Sequence, residues 1–197
     1  EDISDSKNGE IIDNKINTLF EGNGINRKGR KLTFDDIKIT KNNKDSYGSG
    51  SIAFVREDEE LYVNGGTYTG LGGFVFNIYV NETTNTTIKN AKIIAGYEEY
   101  SPQVIYVSGG NIEISNVDFD IINKYYVINV SSAINVKLKD LNINMESTKI
   151  ENFSDLEVIA IFGRENLEME DVNINVKGKY LSFPCLQVFQ NQKQKCN

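Results

Sequence analysis

Histidine and tryptophan are absent from the 197-residue chain, and cysteine, proline and methionine occur twice each. Without an imidazole, triads that need a histidine base, His-ligated metal centres and histidine pH switches are excluded. Two cysteines supply neither a structural zinc site nor the disulfide framework of a small secreted domain. No apolar run approaches the roughly 18 residues of a membrane span, and no signal-peptide pattern opens the chain. There is no initiator Met, as expected of a mature product or a fragment. Basic residues are also in deficit: 21 Lys and Arg against 28 Asp and Glu give a formal net charge of −7. That balance argues against a nucleic-acid partner, which needs a clustered basic face. The length suits one domain with a real core.

What the chain has in excess is asparagine (25) and isoleucine (24). Their placement is periodic. Six segments share the order apolar, any, apolar, any, polar corner, apolar, any, apolar: 32–39, 61–68, 86–93, 112–119, 136–143 and 167–174. Their starts lie 29, 25, 26, 24 and 31 residues apart, a near-constant period that marks a solenoid. The corner column reads Asp36, Gly65, Asn90, Asn116, Asp140 and Asp171. Asn and Asp tolerate a left-handed backbone and bond the turn with their own side chains, and Gly suits the same corner for its backbone alone.

A second strand precedes five of the segments. Its inward pairs are expected to be Ala53 and Val55, Ile78 and Val80, Ile105 and Val107, Ile128 and Val130, then Ile159 and Ile161. The residues between them, Phe54, Tyr79, Tyr106, Asn129 and Ala160, are expected to face out. Five residues link each pair to the next segment, or four between Val107 and Ile112. Alternation with period two and β-branched enrichment read as strand. The expected fold is therefore all-β, a right-handed parallel β-helix of about six coils, its aliphatic side chains stacked in ladders. A β-sandwich is the alternative, but it does not explain the recurring turn between the same two strand types.

The segments NIEISNVDF, NVKLKDLNI and NLEMEDVNI resemble the parallel β-helix repeats of the pectin-lyase-like superfamily. The resemblance covers about residues 16–183 and implies the fold; function it leaves open, because lyases, hydrolases, tailspikes, adhesins and stalks share that fold. Within it, hydrolases imply paired aspartates with a His motif and an Arg-x-Lys cluster. Here histidine is absent, and Arg27, Arg30, Arg56 and Arg164 form no Arg-x-Lys arrangement. Lyases imply calcium-holding carboxylates beside a basic residue; Asp118 with Asp120 and Glu168 with Glu170 are the candidates, but Asp118 and Glu168 are read as outward and solvated. No catalytic, metal or cofactor residue is assigned. The acidic run Glu57–Glu60 is read as a solvated turn rather than a calcium site. The pairs Gly65-Gly66, Gly72-Gly73 and Gly109-Gly110 are read as corners, since no helix follows them to make a phosphate loop. Phe54, Tyr79 and Tyr106 could line up as an aromatic stripe, either a structural ladder or a sugar platform.

Four sequons, at Asn81, Asn85, Asn129 and Asn152, fall outside the expected core, so glycans there are compatible with the fold. Residues 1–15 are read as a cap or incomplete coil, 16–183 as the β-helix, and 184–197 as a Cys-containing tail. Cys185 and Cys196 are candidates for a mutual disulfide, free thiols, or the start of a Cys-rich stalk. Weak capping of the end coils implies further chain or a stacked subunit. The expected function is a non-catalytic, N-glycosylated extracellular module, structural or adhesive, in a surface or filamentous assembly. Its expected partners are copies of itself or other surface proteins stacked end to end, and glycans, with no nucleic acid and no insertion into a membrane. A polysaccharide lyase-like enzyme, with its site in loops 40–52, 94–104 and 144–158, and a glycan-binding adhesin are the alternatives.

Overall fold

The computed structural model describes residues 10–13, 20–21, 31–42, 50–96, 101–147, 157–162, 164–178 and 186–188. These form fifteen strands. The first seven are β1 (Glu10–Asp13), β2 (Phe20–Glu21), β3 (Lys31–Asp35), β4 (Lys38–Lys41), β5 (Ser51–Glu57), β6 (Glu60–Asn64) and β7 (Thr67–Gly70). The next four are β8 (Phe74–Val80), β9 (Asn85–Ala95), β10 (Ser101–Ser108) and β11 (Asn111–Ile122). The last four are β12 (Lys124–Ser147), β13 (Ile159–Ile161), β14 (Arg164–Gly178) and β15 (Leu186–Val188). Every pairing is parallel, so the chain is an all-β solenoid. One face runs β3–β6–β9–β11–β12–β14; the opposing face runs β2–β5–β8–β10–β12–β13–β15. We call these the repeat sheet and the second sheet. β12 serves both, with Ile128 and Val130 in the second sheet and residues from Ala133 onward in the repeat sheet.

The rungs of the repeat sheet match the sequence alignment residue for residue. Phe34, Val63, Ile88, Ile114, Leu138 and Met169 form one column. Ile39, Tyr68, Ile93, Phe119, Ile143 and Ile174 form another. Period-two alternation drives this, because a one-residue slip would turn every aliphatic side chain outward. The corner column takes the left-handed backbone expected of it, with φ of 49° at Asp36, 75° at Gly65, 54° at Asn90, 52° at Asn116 and 51° at both Asp140 and Asp171. Each corner bends the rung in two while the aliphatic columns continue on both sides. Across it the coils remain bonded: Asp36 N–H donates to the Asn64 carbonyl at 2.8 Å and Gly65 N–H to the Lys89 carbonyl at 2.9 Å.

Two expectations need correction. The strands stack into about four turns, slightly fewer than the roughly six coils expected. In the second sheet, Ala53 and Val55 pair with Phe76 and Ile78, not with Ile78 and Val80. Phe76 and Ile78 pair in turn with Ile105 and Val107. The connection after Ile78 thus carries two extra residues, accommodated in a turn where Thr84 N–H donates to the Asn81 carbonyl at 3.0 Å. The other inward pairs, Ile105 with Val107, Ile128 with Val130 and Ile159 with Ile161, stack as expected.

The interior is a single aliphatic and aromatic stack. Tyr68 lies at its centre, 5.4 Å from Phe76 and 5.9 Å from Phe34 between ring centres. Its hydroxyl donates to the Gly65 carbonyl at 3.1 Å. Burial first, then the carboxylates Asp36 and Asp35, holds that phenol well above its ordinary value. Thr86 is one of the buried polar exceptions: it occupies the column of Leu61 and Ile112, is 1% exposed, and its hydroxyl has no partner. A buried hydroxyl without a hydrogen bond is a net cost. Thr86→Val, which keeps shape and removes that group, is expected to raise unfolding stability by about 1 kcal/mol in a denaturant titration. A loss of stability would contradict the assignment of an unpartnered hydroxyl.

Candidate functional site

The outer side of the second sheet gathers the aromatic residues singled out from the sequence. Phe54, Asn77, Tyr106, Asn129 and Ala160 share one column, and Arg56, Tyr79 and Ser108 share the next. Tyr79 is therefore diagonal to Phe54 and Tyr106 rather than in line with them, a consequence of the two-residue shift. The diagonal still brings the rings together: 5.7 Å between Phe54 and Tyr79 and 5.1 Å between Tyr79 and Tyr106. Phe74 adds a fourth ring, 6.3 Å from Tyr106. These separations and tilts suit edge-to-face contacts. The Arg56 guanidinium lies over Phe54 at 3.9 Å, and the hydroxyls of Tyr106 and Ser131 share a hydrogen bond of 2.8 Å. Tyr79 is 46% exposed and forms the outermost ring. Partial burial, then the neighbouring Tyr106 phenol, raises its ionisation above the ordinary tyrosine value.

Outward orientation in this column does not mean exposure. Asn129 is 8% exposed and Ala160 fully buried. Asn77, in the same column, was not singled out by the sequence reading and is 7% exposed. The amide oxygens of Asn77 and Asn129 have no hydrogen-bond partner. The Asn129 amide nitrogen donates to Gln103 Oε1 at 3.1 Å. Register places Asn77 and Asn129 on either side of Tyr106. Once the register is right, the sequence signal is plain: two amides flank an aromatic rung.

The sequons divide. Asn81 and Asn85 are exposed, their amides donating to Asp58 at 2.8 Å and to Glu60 at 3.0 Å. Asn129 is buried, as above, and Asn152 lies outside the described residues, as do Cys185 and Cys196. The acidic run is split between strands: Glu57 ends β5, Glu60 opens β6, and Glu59 is buried at 4% exposure. It is thus not the fully solvated turn expected.

On the outer side of the repeat sheet, asparagines form directional ladders. Asn111 donates to Asn85 at 3.2 Å, Asn135 to Asn111 at 2.6 Å and Asn166 to Asn135 at 2.8 Å. A second ladder runs along the corner, from Asn116 to Asn90 at 2.8 Å and from Asn90 to Asn64 at 2.9 Å. In each link the later coil donates to the earlier one. The lyase candidates are absorbed into the same surface. Asp118 accepts from Asn142 at 3.0 Å, and Asp120 pairs with Lys92 at 2.7 Å. Glu168 pairs with Lys137 at 3.3 Å and Glu170 with Lys139 at 2.9 Å; Lys139 holds the Glu170 carboxyl below its ordinary value. An open polar groove of about 440 Å³ crosses the rungs carrying Lys92, Asp118, Asn142 and Asn173. Among the described residues no three acidic or cysteine side chains converge as a metal site, and no helix is long and apolar enough to cross a membrane.

The last repeat rung, like the first, β3, lies at an edge of the repeat sheet among the described residues. Among the described residues β14 pairs with β12 alone. Its inward row of Leu167, Met169, Val172, Ile174 and Val176 is only partly buried, whereas the equivalent row of β12, Val136, Leu138, Leu141, Ile143 and Met145, is at most 2% exposed. No protein-family model, no curated protein and no solved structure matches the chain.

Proposed function

We propose that the chain is a non-catalytic β-solenoid module of an extracellular surface or filamentous assembly, joined to copies of itself or to other surface proteins by end-to-end stacking. The observation that carries this reading is β14: fifteen residues of strand edge, paired on one side among the described residues, beneath a half-covered aliphatic row. A parallel edge of this length is a template for another strand. The ladders supply polarity, since each of these amide links donates toward the N-terminal coils, and head-to-tail addition repeats that sense. Kinship with the pectin-lyase-like superfamily is part of the same proposal. So is glycosylation, for which, among the described sequons, the exposed Asn81 and Asn85 are better placed than the buried Asn129.

Sedimentation velocity over a hundredfold concentration range, with negative-stain micrographs, tests the reading. End-to-end particles that grow with concentration are expected, and Val172→Lys, which puts a charge in the inward row of the edge, is expected to abolish them. Particles that stay single at every concentration, or that join side by side, would overturn it.

A further inference from the structure

The outward residues of β14 form a pattern that specifies what belongs beside it. Asn166, Glu168, Glu170, Asn173, Asn175 and Lys177 are exposed, and the half-buried inward row alternates with them on both sides of the corner. The rung behind, β12, answers position by position. Asn135, Asn142 and Asn144 accept from Asn166, Asn173 and Asn175 at 2.8, 3.3 and 3.4 Å. Lys137 and Lys139 pair with Glu168 and Glu170, and Glu146 is in register with Lys177. Each asparagine of β14 gives its amide hydrogen to β12, so its oxygen is the next acceptor of its ladder, as the Asn135 oxygen is for Asn166. Among the described residues no strand lies on the far side of β14, and the side chains of Glu168 and Glu170 are 60% and 52% exposed.

We propose that the β14 edge receives a parallel strand of the β12 type, supplied by a coil of another chain. Such a strand has asparagines opposite Asn166, Asn173 and Asn175, lysine or arginine opposite Glu168 and Glu170, and an acid opposite Lys177. Aliphatic side chains lie opposite its inward row. This rests on the reading of β14 as a joining edge and names what it joins. In a parallel in-register sheet a column runs along the axis, so a rung meets the same kind of neighbour on both sides; opposite charges there attract and like charges repel. The column Glu113–Lys137–Glu168 alternates in sign, and its next member is basic. This chain's own first coil lacks the pattern. Thr33 and Asp35 stand in the columns of Glu168 and Glu170, and β1 already lies on β4. A strand of the β12 type therefore takes the edge in preference to a second copy. Residues 191–195 (NQKQK), outside the described residues, have the amide and lysine spacing. Set against Glu168 and Glu170, however, their lysines bring glutamines opposite Leu167 and Met169, where burying an amide is unfavourable.

The test takes the full chain and, as probe, a fluorescent peptide of residues 135–146 carrying Asp140→Asn, which removes the corner carboxylate from the column of Asp171. Saturable binding by anisotropy is expected, weakening as salt rises. Glu168→Gln with Glu170→Gln should weaken it about tenfold at low salt. Both positions are exposed, so the unfolding transition should not move. The peptide with Lys137→Glu and Lys139→Glu should bind about tenfold less well or worse. In sedimentation the unreversed peptide should shorten end-to-end particles. A chain that stays single yet binds the peptide through its lysines loses the self-stacking reading and keeps the partner. Particles that grow with concentration but ignore the peptide keep the stacking and overturn the partner. No binding at millimolar peptide, equal binding of the charge-reversed peptide, or indifference to the glutamine variants would also overturn it. So would binding that begins only when residues 189–197 are removed.

Discussion

Phe119→Ala is expected to lower unfolding stability by about 3–5 kcal/mol in a denaturant titration. Phe119 is completely buried in β11, where its column neighbours are Ile93 in the coil before and Ile143 in the coil after. Truncation removes the burial energy of the ring and leaves a void that both neighbouring rungs must line. A solenoid interior cannot close such a void easily, since each rung is fixed by backbone bonds on both sides. The cost is a large share of the 5–15 kcal/mol available to an ordinary domain. In a stack of coils it is also expected to break cooperativity, so that coils on either side of the defect unfold separately. A cost below 1 kcal/mol would mean that Phe119 is not at a packed rung.

Gly96→Ala is expected to cost about 3 kcal/mol by the same measurement, through backbone geometry rather than a cavity. Gly96 has a φ of 97°, and a Cβ there would run into the Ile122 carbonyl of the next coil. Its N–H donates to the Gly70 carbonyl of the coil before, at 3.1 Å, so the residue is held between coils and cannot move aside. The corners provide the contrast. Asn116 also has a positive φ, but its side chain is exposed and bonds Asn90, so a left-handed residue with a Cβ is accommodated there. If Gly96→Ala is neutral, the coils are not as closely stacked as the backbone bonds imply.

The repeat sheet was legible because two independent signals coincide in it. Alternation sets which residues face in, and the left-handed Asn or Asp sets where along the rung the chain bends. Together they leave no freedom of register. The second sheet has no such corner. Phe76, Ile78 and Val80 all have the same parity, so alternation is blind to a shift of two residues, and the assumption of a constant turn picked the wrong pair. Alternation also reports only facing, not cover. Asn129 and Ala160 do face away from the interior stack, yet both are buried, because what lies over an outer face depends on contacts distant in sequence. Asn77 was missed for both reasons together. The asparagine ladders sit between these cases: periodic Asn was visible, but the direction of donation from later coil to earlier coil emerges only from coordinates.

The carboxylates of the repeat sheet show how far pattern alone carries function. Asp118 and Glu168 occupy outward positions as read, and the structure pairs Asp118, Asp120, Glu168 and Glu170 each with an amide or a lysine of an adjacent rung. Such exposed pairs contribute little stability. They neutralise repulsion between stacked like charges, which a parallel in-register surface would otherwise accumulate.

Parallel stacking of coils 24 to 26 residues apart underlies every other inference, and cross-strand proton contacts in a resonance-assigned spectrum test it most directly. Contacts from Val117 to both Ala91 and Leu141, and from Ile114 to both Ile88 and Leu138, are the predicted result. Close Hα–Hα contacts along these segments, which belong to antiparallel pairs, would contradict the solenoid and everything built on it.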